Sequence, residues 1–233
     1  MKIGLIGAMD EEIKYLKENM DDIQVDETAA FQFILGTLKG QEVILLKSGI
    51  GKVNAAIGTT ILLEKYNPNY VINTGSAGGV HPDLRVGDLV ISSRLRYHDV
   101  DVTAFGYEYG QVPQMPPTFA ADKKLIAVAQ KCAESIRQQA VKGTIASGDA
   151  FMNDAERMES IRSQIKDLYA VEMEGAAIAH VCHRFQTPFV VIRSLSDIAG
   201  KEAEMSFEQF LTVAAKNSAQ LILLMVKELG NVG

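Results

Sequence analysis

The 233-residue chain has only two cysteines, no run of basic residues and no long apolar stretch. Each shortage removes a class of function. Cys132 and Cys182 have neither metal-binding nor redox spacing, so they read as reduced core or near-surface thiols in a cytoplasmic protein. The 23 Lys and Arg are scattered against 29 Asp and Glu, giving a net charge of −6. That leaves no basic field for nucleic acid or an anionic membrane. No apolar run reaches the length of a membrane span. The opening Met1-Lys2-Ile3-Gly4-Leu5-Ile6-Gly7 is too short for a signal-peptide core and soon meets Asp10-Glu11-Glu12, so no leader is expected. Repeats, low-complexity segments and linkers are also missing, which points to a single domain over 1–233. With 47% hydrophobic and 22% charged residues, the chain has the composition of a globular protein with a sizeable core.

What is present is an alternation of strand and helix signals. Short apolar runs predict strands over 2–8, 31–38, 42–47, 70–73, 88–93, 140–146 and 188–194. Helical spacing predicts helices over 10–20, 50–66, 123–138, 154–165 and 174–185. A last helix is expected from a capping-box pattern at Ser206-Phe207-Glu208-Gln209. Lys39-Gly40-Gln41 reads as a hairpin turn, so the sheet should be mixed. The class is α/β: three layers, α/β/α, around a mixed central sheet. Residues 94–119 read as one long loop, a length usually tied to function or an interface. Three polar segments follow apolar strands, at 74–79, 147–152 and 195–203. Ligands in open α/β sheets bind beyond the carboxyl ends of strands, which singles out Ser76, Phe151 and Asp197.

Carboxylates stand out where apolar residues would be cheaper. In Tyr169-Ala170-Val171-Glu172-Met173-Glu174-Gly175, two acids interrupt a small, apolar run. Such groups need cationic or hydrogen-bonding partners when buried. Their fixed direction suits gripping sugar hydroxyls, and an ion pair with Arg193 is the plainer alternative. A carboxyl at the mouth of an apolar strand, as at Asp197, tends to have a raised pKa and can act as a general acid, while a helix cap or loop turn is the commoner use of a loop aspartate. Glu12 follows the first strand on the first turn of a helix. Paired carboxylates in acid and base roles hydrolyse glycosidic bonds. An exposed Phe151 ring could stack on a base, and core packing is the equal alternative. His98 with Asp99 and Asp101 lacks further convergent ligands for a metal. Gly4-Leu5-Ile6-Gly7 is too incomplete for a dinucleotide fingerprint.

Eight segments, in order along nearly the whole chain, carry a resemblance. They are Ile6–Glu12, Ser48–Asn54, Asn73–Gly79, Tyr97-His98-Asp99, Thr103–Gln111, Ser147–Phe151, Val171–Glu174 and Arg193–Asp197. Together they resemble the 5′-methylthioadenosine/S-adenosylhomocysteine nucleosidases, within the nucleoside phosphorylase superfamily. The resemblance implies a nucleoside phosphorylase-like fold and N-ribosidic hydrolysis without a cofactor or metal. Asp197 would protonate adenine N7 and Glu12 would activate water, with Ser76 and Arg193 holding Glu12 and the acidic network. Glu174 would hold the ribose hydroxyls over Met173. Phe151, the backbone of Met152, Ser196 and Gly78 would meet adenine. Met9, Ile50 and Phe207 would line the 5′-alkylthio pocket. Val102, Phe105 and Pro113 would come from the partner of a homodimer to close it. Glu172 becomes a supporting residue, paired with Arg193 or Ser76. Gly175 and the Ser194-Leu195 pair depart mildly from the family pattern without removing a donor or acceptor. A purine nucleoside phosphorylase is the nearest alternative, but a carboxylate at position 12 repels phosphate and suits water.

Overall fold

The structure, a computed structural model, describes residues 1–200 and 203–231, and their side chains except those of 203–206. Ten strands form one sheet: β1 (Lys2–Gly7), β2 (Asp21–Thr28), β3 (Phe31–Leu38), β4 (Gln41–Lys47), β5 (Tyr70–Gly79), β6 (Leu89–Tyr97), β7 (Phe119–Ala120), β8 (Ala140–Ser147), β9 (Leu168–Glu172) and β10 (Phe189–Ile198). Among the described residues, six α-helices accompany it: α1 (Asp10–Lys17), α2 (Lys52–Tyr66), α3 (Lys123–Ser135), α4 (Ala155–Gln164), α5 (Gly175–Phe185) and α6 (Ala203–Asn231). The sheet is mixed, as the pattern predicts. β1 lies between β4 and β5, parallel to both, and its apolar run is buried on both faces. The β3–β4 hairpin turns at Lys39-Gly40, where both residues have positive φ.

The sheet also curls. β5, β10, β6, β8 and β9 pair in succession, and β9 pairs back to β5, so these five strands close on themselves. β1, β4, β3 and β2 extend from β5 as an open wing. Helices α2 and α5 pack together on one side; α1 and α3 pack with α6 on the other, with α6 against β5 and β10. One apolar core runs through Ile3, Leu5, Phe33, Leu62, Val190, Ile192, Leu195 and Leu221. Cys132 and Cys182 are free and buried in it.

Several boundaries differ from the sequence reading. Residues 74–79 are not a turn: β5 continues through them because β10 pairs with it as far as Gly79. The expected loop 195–203 begins as strand, since β10 runs to Ile198; residues 201–202 lie outside the described ones. α6 starts at Ala203, so Ser206 lies inside it, and the expected side-chain cap falls outside the described side chains. β2 and β9 are additional strands, and β6 reaches Tyr97 in what was read as loop. Within 98–118 the backbone is irregular apart from a short 3-10 turn, Thr103–Phe105. α6 brings a further correction: by length and composition alone, Phe207–Asn231 is apolar enough to cross a membrane. Here it is a core helix, packed along β5 and β10.

Candidate active site

A cleft of about 300 Å³ opens at the carboxyl ends of β1, β4, β5, β9 and β10. It is lined by eleven of the residues anticipated from sequence. Met9 and Glu12 come from the turn into α1, and Ile50 from the turn into α2. Ser76 and Gly78 lie on β5, while Ser196 and Asp197 lie on β10. Met173 and Glu174 follow β9; Phe151 follows β8, and Phe207 lies on α6. Met152 is buried behind Phe151, against a smaller adjoining hollow.

Glu12 is held by four donors. Its Oε2 accepts from the backbone N–H groups of Ala8 at 2.7 Å and Met9 at 3.3 Å. Its Oε1 accepts from the Ser76 N–H at 3.0 Å and the Ser76 hydroxyl at 3.2 Å. This side chain is 4% exposed and cannot turn without losing charge-assisted bonds. Room for it comes from Gly75: a Cβ there would stand 2.6 Å from Glu12 Oε1 and 3.1 Å from Arg193 Nη1.

Asp197 is placed by a register shift between Leu195 and Asp197 in the β5–β10 ladder. Such bulges re-aim a side chain. Its Oδ1 accepts from the Ser196 hydroxyl at 2.7 Å, and its Oδ2 lies over Gly78, where a Cβ would be 2.9 Å away. Burial pushes its pKa up, and the Ser196 bond only partly opposes this. The group is thus inclined to keep a proton, as a general acid requires.

Behind the cleft floor lies a buried polar network. Arg193 donates to Glu172 and, at 2.7 Å, to Asn73 Oδ1. Asn73 in turn donates to the Ile6 carbonyl at 2.9 Å. Glu172 also accepts from the Ser147 hydroxyl and from the N–H groups of Glu174 at 3.1 Å and Gly175 at 2.7 Å. Burial alone would raise the Glu172 carboxyl, but Arg193, Ser147 and these amides outweigh it and hold it low. Of the two partners anticipated for Glu172, the contact is with Arg193 and not Ser76. Arg193 makes no ion pair with Glu12 within 4.0 Å among the described residues; it supports the acidic network through Glu172 and Asn73.

Glu174 stands at the N-cap of α5, as expected if a helix begins there. It does not cap that helix; its Oε1 accepts from the Gly51 N–H at 2.8 Å, and Oε2 is 3.9 Å from Arg193. Burial and the neighbouring Glu172 charge raise its pKa to about 8. The Phe151 ring is 42% exposed and meets Phe207 edge-on, with centroids 5.6 Å apart. An exposed ring on the cleft wall favours base stacking over core packing.

Val102, Phe105 and Pro113 do not line this cleft. Phe105 is 81% exposed. Ser147, Asn73 and Gly51 were not assigned roles from sequence. Ser147 and Asn73 sit next to apolar strand residues, and a buried polar side chain there is the available signal.

A family model described as "Phosphorylase superfamily" matches residues 2–227. A 5′-methylthioadenosine/S-adenosylhomocysteine nucleosidase of Bacillus cytotoxicus is 58% identical over 98% of this chain and 100% of its own. The chain belongs to this nucleosidase family. Crystal structures of family members superpose closely. The nucleosidase of Neisseria meningitidis, in complex with methylthio-immucillin-A, gives a TM-score of 0.96 at 45% identity, covering 97% of this chain and 99% of that one. That of Colwellia psychrerythraea, in complex with adenine, gives 0.96 at 51% identity over 98% and 96%. Nucleosidases of this family are N-glycosyl hydrolases, and three carboxyl side chains, Glu12, Glu174 and Asp197, line the cleft beside Glu172.

Proposed function

We propose that this chain hydrolyses the N-ribosidic bond of 5′-methylthioadenosine and S-adenosylhomocysteine. Adenine leaves, together with 5-methylthioribose or S-ribosylhomocysteine. The observation that carries the reading is the convergence of Asp197, Glu12 and Glu174 on one cleft with an exposed Phe151. Asp197 protonates adenine N7 as the C1′–N9 bond breaks, so the base leaves neutral. Glu12 takes a proton from water as the water oxygen bonds to C1′. Ser76 fixes Glu12, and its rotatable hydroxyl can yield a place to that water. Each positioned proton transfer contributes about 10²–10⁴-fold. Glu174 holds the ribose 2′- and 3′-hydroxyls above Met173. Phe151 stacks on adenine beside Ser196 and Gly78, while the Met152 backbone reads its edge. Met9, Ile50 and Phe207 receive the 5′-alkylthio group.

The same reading makes the enzyme a cytoplasmic homodimer acting in methionine salvage. Val102, Phe105 and Pro113 of one subunit would cover the 5′ pocket of the other. Exposed apolar residues support this: Phe105 on the loop, and Ile50, Val53 and Ile57 at the start of α2.

The test is product analysis with purified protein and 5′-methylthioadenosine, with and without phosphate. Equal adenine release in both, with free 5-methylthioribose, is expected. A 5-methylthioribose-1-phosphate product that depends on phosphate would instead make this a phosphorylase.

A further inference from the structure

Three charged side chains lie just outside the cleft without lining it: Lys52, Asp99 and Asp149. Lys52 Nζ donates to Asp99 Oδ2 at 2.6 Å and stands 3.8 Å from Asp149 Oδ2. The same Asp99 oxygen accepts from the Asp149 N–H at 2.9 Å. Asp149 Oδ1 then accepts from the Lys52 N–H at 2.8 Å. The circuit ties together the first turn of α2, the segment after β6 and the loop that carries Phe151.

Gly51 stands at its centre. It has φ +93°, and a Cβ there would be 3.1 Å from Asp149 Oδ1. α2 has no cap from its own N-terminal side chain. Its adjacent amides are taken by two distant carboxylates instead: Gly51 N–H by Glu174 and Lys52 N–H by Asp149. One helix end therefore holds both the sugar-facing carboxylate and the base-stacking loop.

We infer that Lys52, Asp99 and Asp149 are positioning residues that fix the spacing between Phe151 and Glu174, setting affinity for the nucleoside without touching it. This rests on the proposed roles of Phe151 and Glu174. The Lys52 and Asp99 side chains are 22% and 18% exposed. Ion pairs with this much solvent contribute little to folding, so the effect should appear in binding more than in stability. Losing the pair frees the loop at one end while acid and base stay on β10 and α1.

The experiment compares wild type with Lys52→Ala, Asp99→Ala, Lys52→Arg and the Lys52→Ala/Asp99→Ala double variant. It reads KM and kcat with 5′-methylthioadenosine, and adenine affinity by calorimetry. Each alanine variant should raise KM and weaken adenine binding by about fivefold, with kcat within about twofold. Lys52→Arg should recover most of the loss, and the double variant should fall short of the summed effects, because the residues share one circuit. The inference is overturned if KM and adenine affinity stay within about twofold of wild type, whether or not melting temperature falls, or if only kcat falls. Wild-type protein that releases no adenine from 5′-methylthioadenosine would count against the functional reading instead.

Discussion

Glu172 and Glu174 are two residues apart, yet their surroundings drive them to opposite protonation states. Arg193 bonds to Glu172 and holds it charged, while that same charge, added to burial, lifts Glu174 to about 8. A carboxyl whose pKa is higher folded than unfolded contributes stability below its unfolded value and loses it as pH rises through the folded one. The empty protein should therefore lose stability from Glu174 between the ordinary glutamate range and about 8. Glu174→Gln should remove that slope. In urea denaturation the variant should gain on wild type between about pH 5 and about pH 9. An unchanged difference across that range would mean Glu174 is ionised at neutral pH.

Ribose hydroxyls donated to Glu174 would favour its charged form. Nucleoside binding near neutrality should then release a proton, and affinity should tighten as pH rises toward about 8. Calorimetry in buffers of different ionisation enthalpy measures that proton. Glu174→Gln should bind more weakly and show less proton release than wild type.

Asp197 and Glu12 serve different atoms of the reaction under the proposed mechanism. Asp197→Asn and Glu12→Gln keep shape and remove the proton transfers. Each should lower adenine release by about 10²–10⁴-fold while the circular dichroism spectrum stays that of wild type. Both variants retaining wild-type turnover would exclude these assignments.

The Glu172–Arg193 pair is buried, with both side chains at most 3% exposed. Removing one partner leaves an uncompensated charge, which typically costs about 3–5 kcal/mol. Arg193→Met should therefore be strongly destabilised in urea. Its activity should also collapse, since Glu172 anchors the Glu174 and Gly175 amides.

Gly75 offers a probe of how Glu12 is seated beside Arg193. A methyl at position 75 would meet Glu12 Oε1 at 2.6 Å. Gly75→Ala should lower kcat by about 10²-fold or more, since a misplacement on the scale of an ångström can cost that much. The secondary structure should remain, as read by circular dichroism.

This glycine also shows where sequence was misleading. Thr74–Gly79 reads as a turn because it is rich in glycine, yet it is a paired strand. Gly75 and Gly78 are small to admit Glu12 and Asp197, not to bend the chain. β2 escaped notice because Asp21–Thr28 is polar and mostly exposed, so no apolar face announces it. The site itself was more legible. Acids placed after apolar strands drew attention to the strand ends, the family resemblance supplied most of the rest, and eleven anticipated residues share the cleft. What sequence could not provide was long-range pairing. That Glu172 meets Arg193 and Ser147, or that Glu174 caps Gly51, depends on strand order and register.

The curled sheet carries the cleft's residues on two stretches of one sheet. Asp197, Ser76 and Glu172 hang from the five strands that close on themselves, a hoop without a free edge. Glu12 and Ile50 hang from β1 and β4 on the open wing. The proposed acid and base thus meet across the seam where β1 joins β5, which four backbone register pairs stitch and the Ser76–Glu12 bonds cross. Under the proposed mechanism Ser76 makes that seam part of the catalytic geometry: a change that loosened the wing would have to break the Ser76–Glu12 bonds before the base could move.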